Sequence, residues 1–251
     1  IVPRFDWDDL ILPPEQLTQL YEMTAWARNS HTVYNEWGFG KKIANMQGVS
    51  ALFAGESGTG KTLAAEVIAK ELGLVLYKIE LSAVVSKYIG ETEKNLSVIF
   101  KEARSGNAIL FFDEADALFG KRSEVKDARD RYANIEIAYL LQEIEDYDGI
   151  AILATNLRQN LDEAFTRRLD FLIDFPFPES IYQRKIWLAH FPDKAPLAAD
   201  IDLTELSERY DLAGGNIRNV AVGAAYLAAD DGGVITLQHI HRAIRREHQK
   251  M

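Results

Sequence analysis

Gly55, Gly60, Lys61 and Thr62 stand at the spacing G-x-x-x-x-G-K-[ST] inside the stretch FAGESGTGKTLAAEV, residues 53 to 67. Glycine inside an element costs about 0.5–1 kcal/mol relative to alanine, so Gly55, Gly58 and Gly60 together mark a loop whose main chain comes very close to something. In this pattern backbone N–H groups wrap a phosphate chain, the lysine reaches the β and γ phosphates, and the hydroxyl holds Mg2+. The candidate nucleotide contacts are therefore Gly55, Glu56, Ser57, Gly58, Thr59, Gly60, Lys61, Thr62 and Leu63. Leu63 to Gly73 reads as a helix whose N-terminus faces the anion and adds its dipole to the same site. A glycine-rich turn that meets the pattern by chance would lack the strand before it and the helix after it, which SALF and LAAEVIAKELG supply.

A second chemical signal lies further along the chain, where Ile109, Leu110, Phe111 and Phe112 end in Asp113 and Glu114. The C-terminal edge of such a strand is where open α/β sheets bind ligands. Adjacent residues on a strand point opposite ways, so the two acids divide the labour. Asp113 suits the outer shell of the Mg2+ held by Thr62, and Glu114 suits a water aimed at the γ phosphate. Alone, a strand ending in acids would be decoration; after a phosphate loop it is a candidate metal and catalytic pair.

Positioning these residues requires buried strands. ALFAG leads into the glycine loop, LVLYKIEL (74 to 81) follows its helix, and AILFFDEAD (108 to 116) follows a helix ending at Gly106; IAILATN (150 to 156) and FLIDFPF (171 to 177) complete the set. Runs this apolar fit strands buried on both faces, and strands separated by helices imply a parallel sheet covered on both sides. Beyond FPFPE, where Pro176 and Pro178 break any element, the pattern reads as four helices near 180 to 191, 203 to 210, 215 to 230 and 236 to 249. The expected organisation is an α/β nucleotide-binding core over 1–177 and a helical unit over 178–251.

Composition bounds the function. With 251 residues, 47% of them hydrophobic, the chain can bury one good core or a core with a satellite. It has no cysteine, which excludes disulfides and thiolate metal sites, and of its five histidines His239 and His241 stand two apart and point in different directions on a helix. No apolar stretch approaches the roughly 18 residues of a membrane span, and the first residues lack the features of a signal peptide. A soluble, cytoplasmic protein is the expectation, and because residue 1 is isoleucine, a domain of a longer polypeptide. A net charge of −10 argues against a broad nucleic-acid-binding face.

GESGTGKT, ILFFDEAD, ATN and AFTRRLDFLIDFP resemble, in order and spacing, the Walker A, Walker B, sensor 1 and arginine-finger elements of the AAA ATPases, within the AAA+ superfamily. The resemblance implies an α/β P-loop fold with a five-stranded parallel sheet of order 5-1-4-3-2 and a C-terminal all-helical lid. Asn156, ending the fourth strand, would then stand between the phosphate loop and Asp113 and hydrogen-bond both the γ phosphate and the lytic water. The family places arginine fingers on one subunit and nucleotide on the next, which implies a ring, a homo-hexamer. Here Arg167 and Arg168 are adjacent, where the family separates its two arginines by a few residues, so either can be the finger.

SKYIG (86 to 90) stands where these ATPases carry a pore loop, so Lys87, Tyr88 and Ile89 would grip an extended polypeptide, Tyr88 through its ring. The charged run FGKRSEVKDARDRYAN (119 to 134) would form a second pore-side or intersubunit loop. LAGGNIRNVAVGAA resembles the sensor 2 region: Gly214 and Gly215 would let a helix approach adenine and ribose, and either Asn216 or Arg218 would supply the polar contact. FDWDDLILPPEQ resembles the segment that wraps the adenine, with Leu10 or Ile11 as the contact. DRYANIEIAYLLQEIEDYDG is similar to bacterial AAA proteins, including those encoded with contractile injection systems. The resulting expectation is Mg2+-dependent ATP hydrolysis coupled to remodelling or threading of a protein partner, with no membrane and no nucleic acid involved. Its rivals are a clamp-loader or helicase-loader switch acting on nucleic acid, and an assembly scaffold with little turnover.

Overall fold

A computed structural model describes residues 1–42, 48–84, 91–117, 128–156 and 166–250, the backbone alone over 128–134. Lys87, Tyr88 and Ile89, and residues 119–127 of the charged run, lie outside these. By internal packing the chain divides into a first unit (Ile1–Leu10, Pro14–Glu56, Lys61–Phe175) and a second (Ile11–Pro13, Ser57–Gly60, Pro176–Met251).

The first unit is built on β1 (Val49–Ala54), β2 (Val75–Glu80), β3 (Ala108–Asp113), β4 (Ile150–Thr155) and β5 (Phe171–Asp174). All pairings are parallel, in the order β2-β3-β4-β1-β5. Read from the other edge this is the expected 5-1-4-3-2. Every residue of β1 and β4 is buried, as their unbroken apolar runs require. The outer strands depart from the expectation of burial on both faces. Only Leu76 of β2 and Ile173 of β5 are buried, because each strand has a neighbour on one side only and covers less of itself.

Of the helices, α1 (Pro14–His31), α2 (Lys61–Leu72), α3 (Leu81–Val84), α4 (Glu91–Gly106) and α5 (Ala128–Glu145) belong to this unit. Leu96, Phe100 and Ala103 of α4 and Leu140, Leu141 and Ile144 of α5 share a core with Leu52, Leu110, Phe112 and Leu153 of the sheet. The alternate residues Ala51, Phe53, Ile109, Phe111, Ile152 and Ala154 are equally buried and turn to the opposite face, where α1 and α2 pack. The apolar pattern of residues 14–31 does not announce this α1 helix. Its signals were local: Pro14 at the first helical position, Glu15 in the first turn, and Arg28 and His31 in the last. The helix buries Leu20 and Met23, and Trp26 meets Phe171 of β5 edge to face at 5.0 Å.

The second unit contains α6 (Ser180–His190), α7 (Leu203–Arg209), α8 (Gly214–Asp230) and α9 (Leu237–His248), close to the four expected helices. Its own core joins Trp187, Leu206, Ile217, Val220, Ala224, Ile240 and Ile244. Asp202 caps α7 by accepting from the Thr204 and Glu205 N–H groups.

Register in the sheet fixes the geometry that matters for chemistry. Ala54 lies opposite Thr155, and Glu80 opposite Asp113, so the segments leaving β1 and β4 start side by side, as do those leaving β2 and β3. The ladder runs on through Gly55 N–H to Thr155 O at 3.1 Å and Phe175 N–H to Ala54 O at 2.7 Å. A Cβ on Gly55 would lie 2.2 Å from the Phe175 carbonyl oxygen. The close approach of the segment after β5 thus by itself requires glycine at the first motif position. Gly55→Ala should therefore lower stability by about 1–3 kcal/mol in urea unfolding, whereas at Gly106 the added Cβ has only Tyr77 Oη at 3.4 Å and Gly106→Ala should be close to neutral. Equal effects at the two positions would contradict this account.

Candidate functional site

The glycine loop runs straight into α2, which begins at Lys61, two residues earlier than the sequence pattern suggested. Gly58 and Gly60 have φ of 80° and 107°, the left-handed conformations that side chains resist. Ser57 and Gly58 are exposed, Thr59 is buried, and Thr62 and Leu63 are half-buried in the first turn of α2. Lys61 is only 7% exposed. Its ammonium donates to Gly55 O at 2.6 Å, Glu56 O at 2.8 Å and Asn156 Oδ1 at 2.9 Å, one neutral oxygen for each of its three hydrogens. Burial pushes the Lys61 pKa down, and Asp113, Asp116 and Glu56 pull it back toward the charged form. The structure therefore joins Gly55, Glu56, Lys61 and Asn156 in one cluster with Asp113 close enough to act on it.

Asp113 closes β3, but the strand ends there. Glu114 has φ 55°, so the opposite-faces argument for the two acids does not apply to it; the backbone turns it out of the sheet instead. For a residue with a Cβ this conformation costs about 1–2 kcal/mol. Glu114 is exposed, its Oε2 accepts from Ser82 Oγ at 2.8 Å, and its N–H donates to Asp113 Oδ1 at 3.0 Å. The other Asp113 oxygen meets Lys78 Nζ at 2.9 Å. That hydrogen bond is the main reason the Lys78 pKa is raised, against partial burial, with Asp113, Glu80 and Glu114 adding their charge. Asp116 Oδ1 accepts from Thr155 Oγ1 and Asn156 N–H, both at 3.4 Å, bracing the turn after β4.

Lys78, Ser82 and Asp116 were absent from the sequence-derived set. Only Lys78 left a signal, a lysine inside the strand YKIE two residues from its end. Oxygen donors at Thr62 and Asp113 suit a hard cation such as Mg2+, which takes one or two protein groups and completes its shell with phosphate and water. Among the described residues no group of three or more His, Cys, Asp or Glu could hold a metal on its own.

The two adjacent arginines have different surroundings. Arg168 grips Glu145, the last residue of α5, through Nε to Oε1 at 2.5 Å and Nη2 to Oε2 at 2.7 Å, and Glu145 raises its pKa. Arg167 is exposed. In the second unit the Gly215 N–H donates to Gly58 O at 3.0 Å. Asn216 is drawn inward: its Nδ2 donates to Glu247 Oε1 at 3.3 Å, beside Asn219 at 2.9 Å. Arg218 is exposed on α8, and its charge, after burial, lowers the pKa of His190. Leu10 is buried and Ile11 half-buried.

Residues 51–177 match the family model described as ATPase family associated with various cellular activities (AAA). The chain is 32% identical over 253 residues to a proteasome-activating nucleotidase of Aeropyrum pernix, covering 97% of this chain and 60% of that protein. It is 34% identical over 198 residues to an ATP-dependent zinc metalloprotease FtsH of Lachnoclostridium phytofermentans, covering 75% and 34%. With a cell division cycle protein 48 homolog of Archaeoglobus fulgidus it shares 37% over 161 residues, covering 62% and 22%. The chain thus spans at most three fifths of the length of these relatives.

The network around Glu247 makes a pH-dependent prediction. Burial works to raise this carboxyl, but hydrogen bonds from Asn219, Lys250 and Asn216 outweigh it and hold the pKa below its ordinary value. A depressed folded-state value stabilises the fold above the ordinary carboxylate range, and the contribution disappears as pH falls through the folded value. Glu247→Gln should lower unfolding free energy at neutral pH by about 1–2 kcal/mol, and the gap to the parent should close as the pH is lowered. A gap that is the same at every pH would mean the charge is not involved.

Proposed function

The chain belongs to the AAA family of ATPases, and on that premise we propose that it hydrolyses ATP with Mg2+ and uses the cycle to remodel or thread a protein partner. The observation that carries this reading is the Lys61 cluster: a buried ammonium facing Gly55, Glu56 and Asn156 at hydrogen-bond distance, with Asp113 beside it. On binding, Lys61 exchanges neutral oxygens for the β and γ phosphate oxygens, while N–H groups of the glycine loop and the first turn of α2 surround the phosphate chain. Thr62 and Asp113 would hold Mg2+, which when bound would supply positive charge against the phosphate chain.

Glu114 accepts a proton from the attacking water, and Asn156, next to Lys61, orients that water and contacts the γ phosphate. The Ser82 hydrogen bond fixes one Glu114 oxygen and leaves the other for the water. Arg167 or Arg168 is the residue we assign to the phosphate of a neighbouring copy; Arg168 is also bonded to Glu145 within its own chain. From the second unit we assign Gly215 and either Asn216 or Arg218 to the nucleotide, Asn216 also being bonded to Glu247 within that unit. The shared site implies a ring, in the family a homo-hexamer, with Lys87, Tyr88 and Ile89 as the gripping loop. A relative named as proteasome-activating supports a protein as the partner. Among the described residues no helix is long and apolar enough to cross a membrane.

Phosphate-release assays test the assignment. Glu114→Gln should bind ATP with near-parental affinity and lose nearly all turnover. Replacing both Arg167 and Arg168 by alanine should also keep affinity while losing about 10³-fold or more in turnover. Mixing Glu114→Gln with that double variant should restore activity wherever an intact site meets an intact finger. Full, concentration-independent activity of the double variant would rule out the shared site.

A further inference from the structure

Lys78 lies opposite Phe111 and Glu80 opposite Asp113, so Lys78 and Asp113 form a diagonal pair on one face of the β2–β3 ladder. The lysine stem reaches along the strand and sets its ammonium 2.9 Å from Asp113 Oδ2, both side chains being partly covered, at 34% and 24% exposed. The second oxygen of the same carboxylate accepts the Glu114 N–H at 3.0 Å. Asp113 therefore already has a cation on one oxygen and a backbone donor on the other. Around the two lysines of the site stand five carboxylates, Glu56, Glu80, Asp113, Glu114 and Asp116. Such a field opposes a polyphosphate, and a divalent cation bound with it would offset the repulsion.

An ion pair on a half-exposed sheet edge contributes about 0–1 kcal/mol to stability, so stability alone is a weak account of this one. Its consequence lies in which carboxylate it occupies. We propose that Lys78 is a resident counter-cation of Asp113 with which the incoming divalent cation competes, so that Lys78 sets the Mg2+ concentration at which the site takes nucleotide tightly. The proposal rests on the reading of Thr62 and Asp113 as the Mg2+ position. A positive charge this close to a ligand oxygen opposes a second cation there, and its removal strengthens the hold on the metal.

The test is equilibrium binding of a fluorescent ADP while Mg2+ is titrated from a chelated baseline. In the parent, affinity should rise with Mg2+ to a plateau. In Lys78→Gln and in Lys78→Met, which keeps the stem volume, the Mg2+ concentration at half-effect should fall about three- to tenfold. Lys78→Arg, which restores the charge, should return it to within about twofold of the parent. Thermal unfolding without nucleotide identifies which neutral variant is folded, and either one suffices. An unchanged or increased Mg2+ requirement in the neutral variants, against a normal parental response, overturns the role of Lys78. If nucleotide affinity in the parent itself does not respond to Mg2+, the reading of the metal position fails instead.

Discussion

A lysine ammonium that is 7% exposed must find an acceptor for each of its hydrogens inside the protein, and Lys61 finds them in three neutral oxygens from two segments of chain. Two are carbonyls of the loop that precedes it, and the third is the amide oxygen of Asn156, just past β4. Neutral acceptors satisfy the donors without neutralising the charge, so burial still weighs against the charged form and lowers the pKa. That arrangement favours exchange of these oxygens for anionic ones. Under the proposed function, the same contact would tie the residue that meets phosphate to the residue that senses it.

The parallel register brings these groups together. β4 lies between β1 and β3, and the aligned C-terminal ends place Gly55, Asn156, Asp113 and Glu114 along one edge of the sheet. Their environments differ in kind. On the β1–β4 side a buried cation meets neutral oxygens; on the β2–β3 side a partly exposed carboxylate meets Lys78, and the neighbouring Glu114 meets Ser82. Lys78 of β2 and Ser82 just beyond it therefore hold Asp113 and Glu114 respectively. Arg168 is likewise engaged within its own chain, by Glu145.

Much of this was legible in the amino-acid order because strong local patterns carried it. The glycine-lysine motif, the apolar strands and the four C-terminal helices all have short-range signatures, and their bounds differ from expectation by no more than three residues. What escaped depends on pairing. Helix α1 has only a narrow apolar face, and its burial comes from β5 and α2. The exposed faces of β2 and β5 follow from their edge positions, which no run of residues announces. Lys78, Ser82 and Asp116 matter through diagonal or cross-segment contacts fixed by register. The turn at Glu114 overrode a strand pattern that extended through it, and at Gly55 the close approach of Phe175 by itself requires glycine.

Thermal unfolding of Lys61→Met, with and without saturating ATP and Mg2+, tests most directly whether the cluster around Lys61 is a phosphate site. Methionine fills the stem's space and removes the charge. A ligand at about 100 times its dissociation constant adds about 2.7 kcal/mol to the folded state, so the parent should melt several degrees higher with nucleotide. The account predicts that Lys61→Met folds and shows no such rise. A variant that melts higher with nucleotide by as much as the parent does would contradict it.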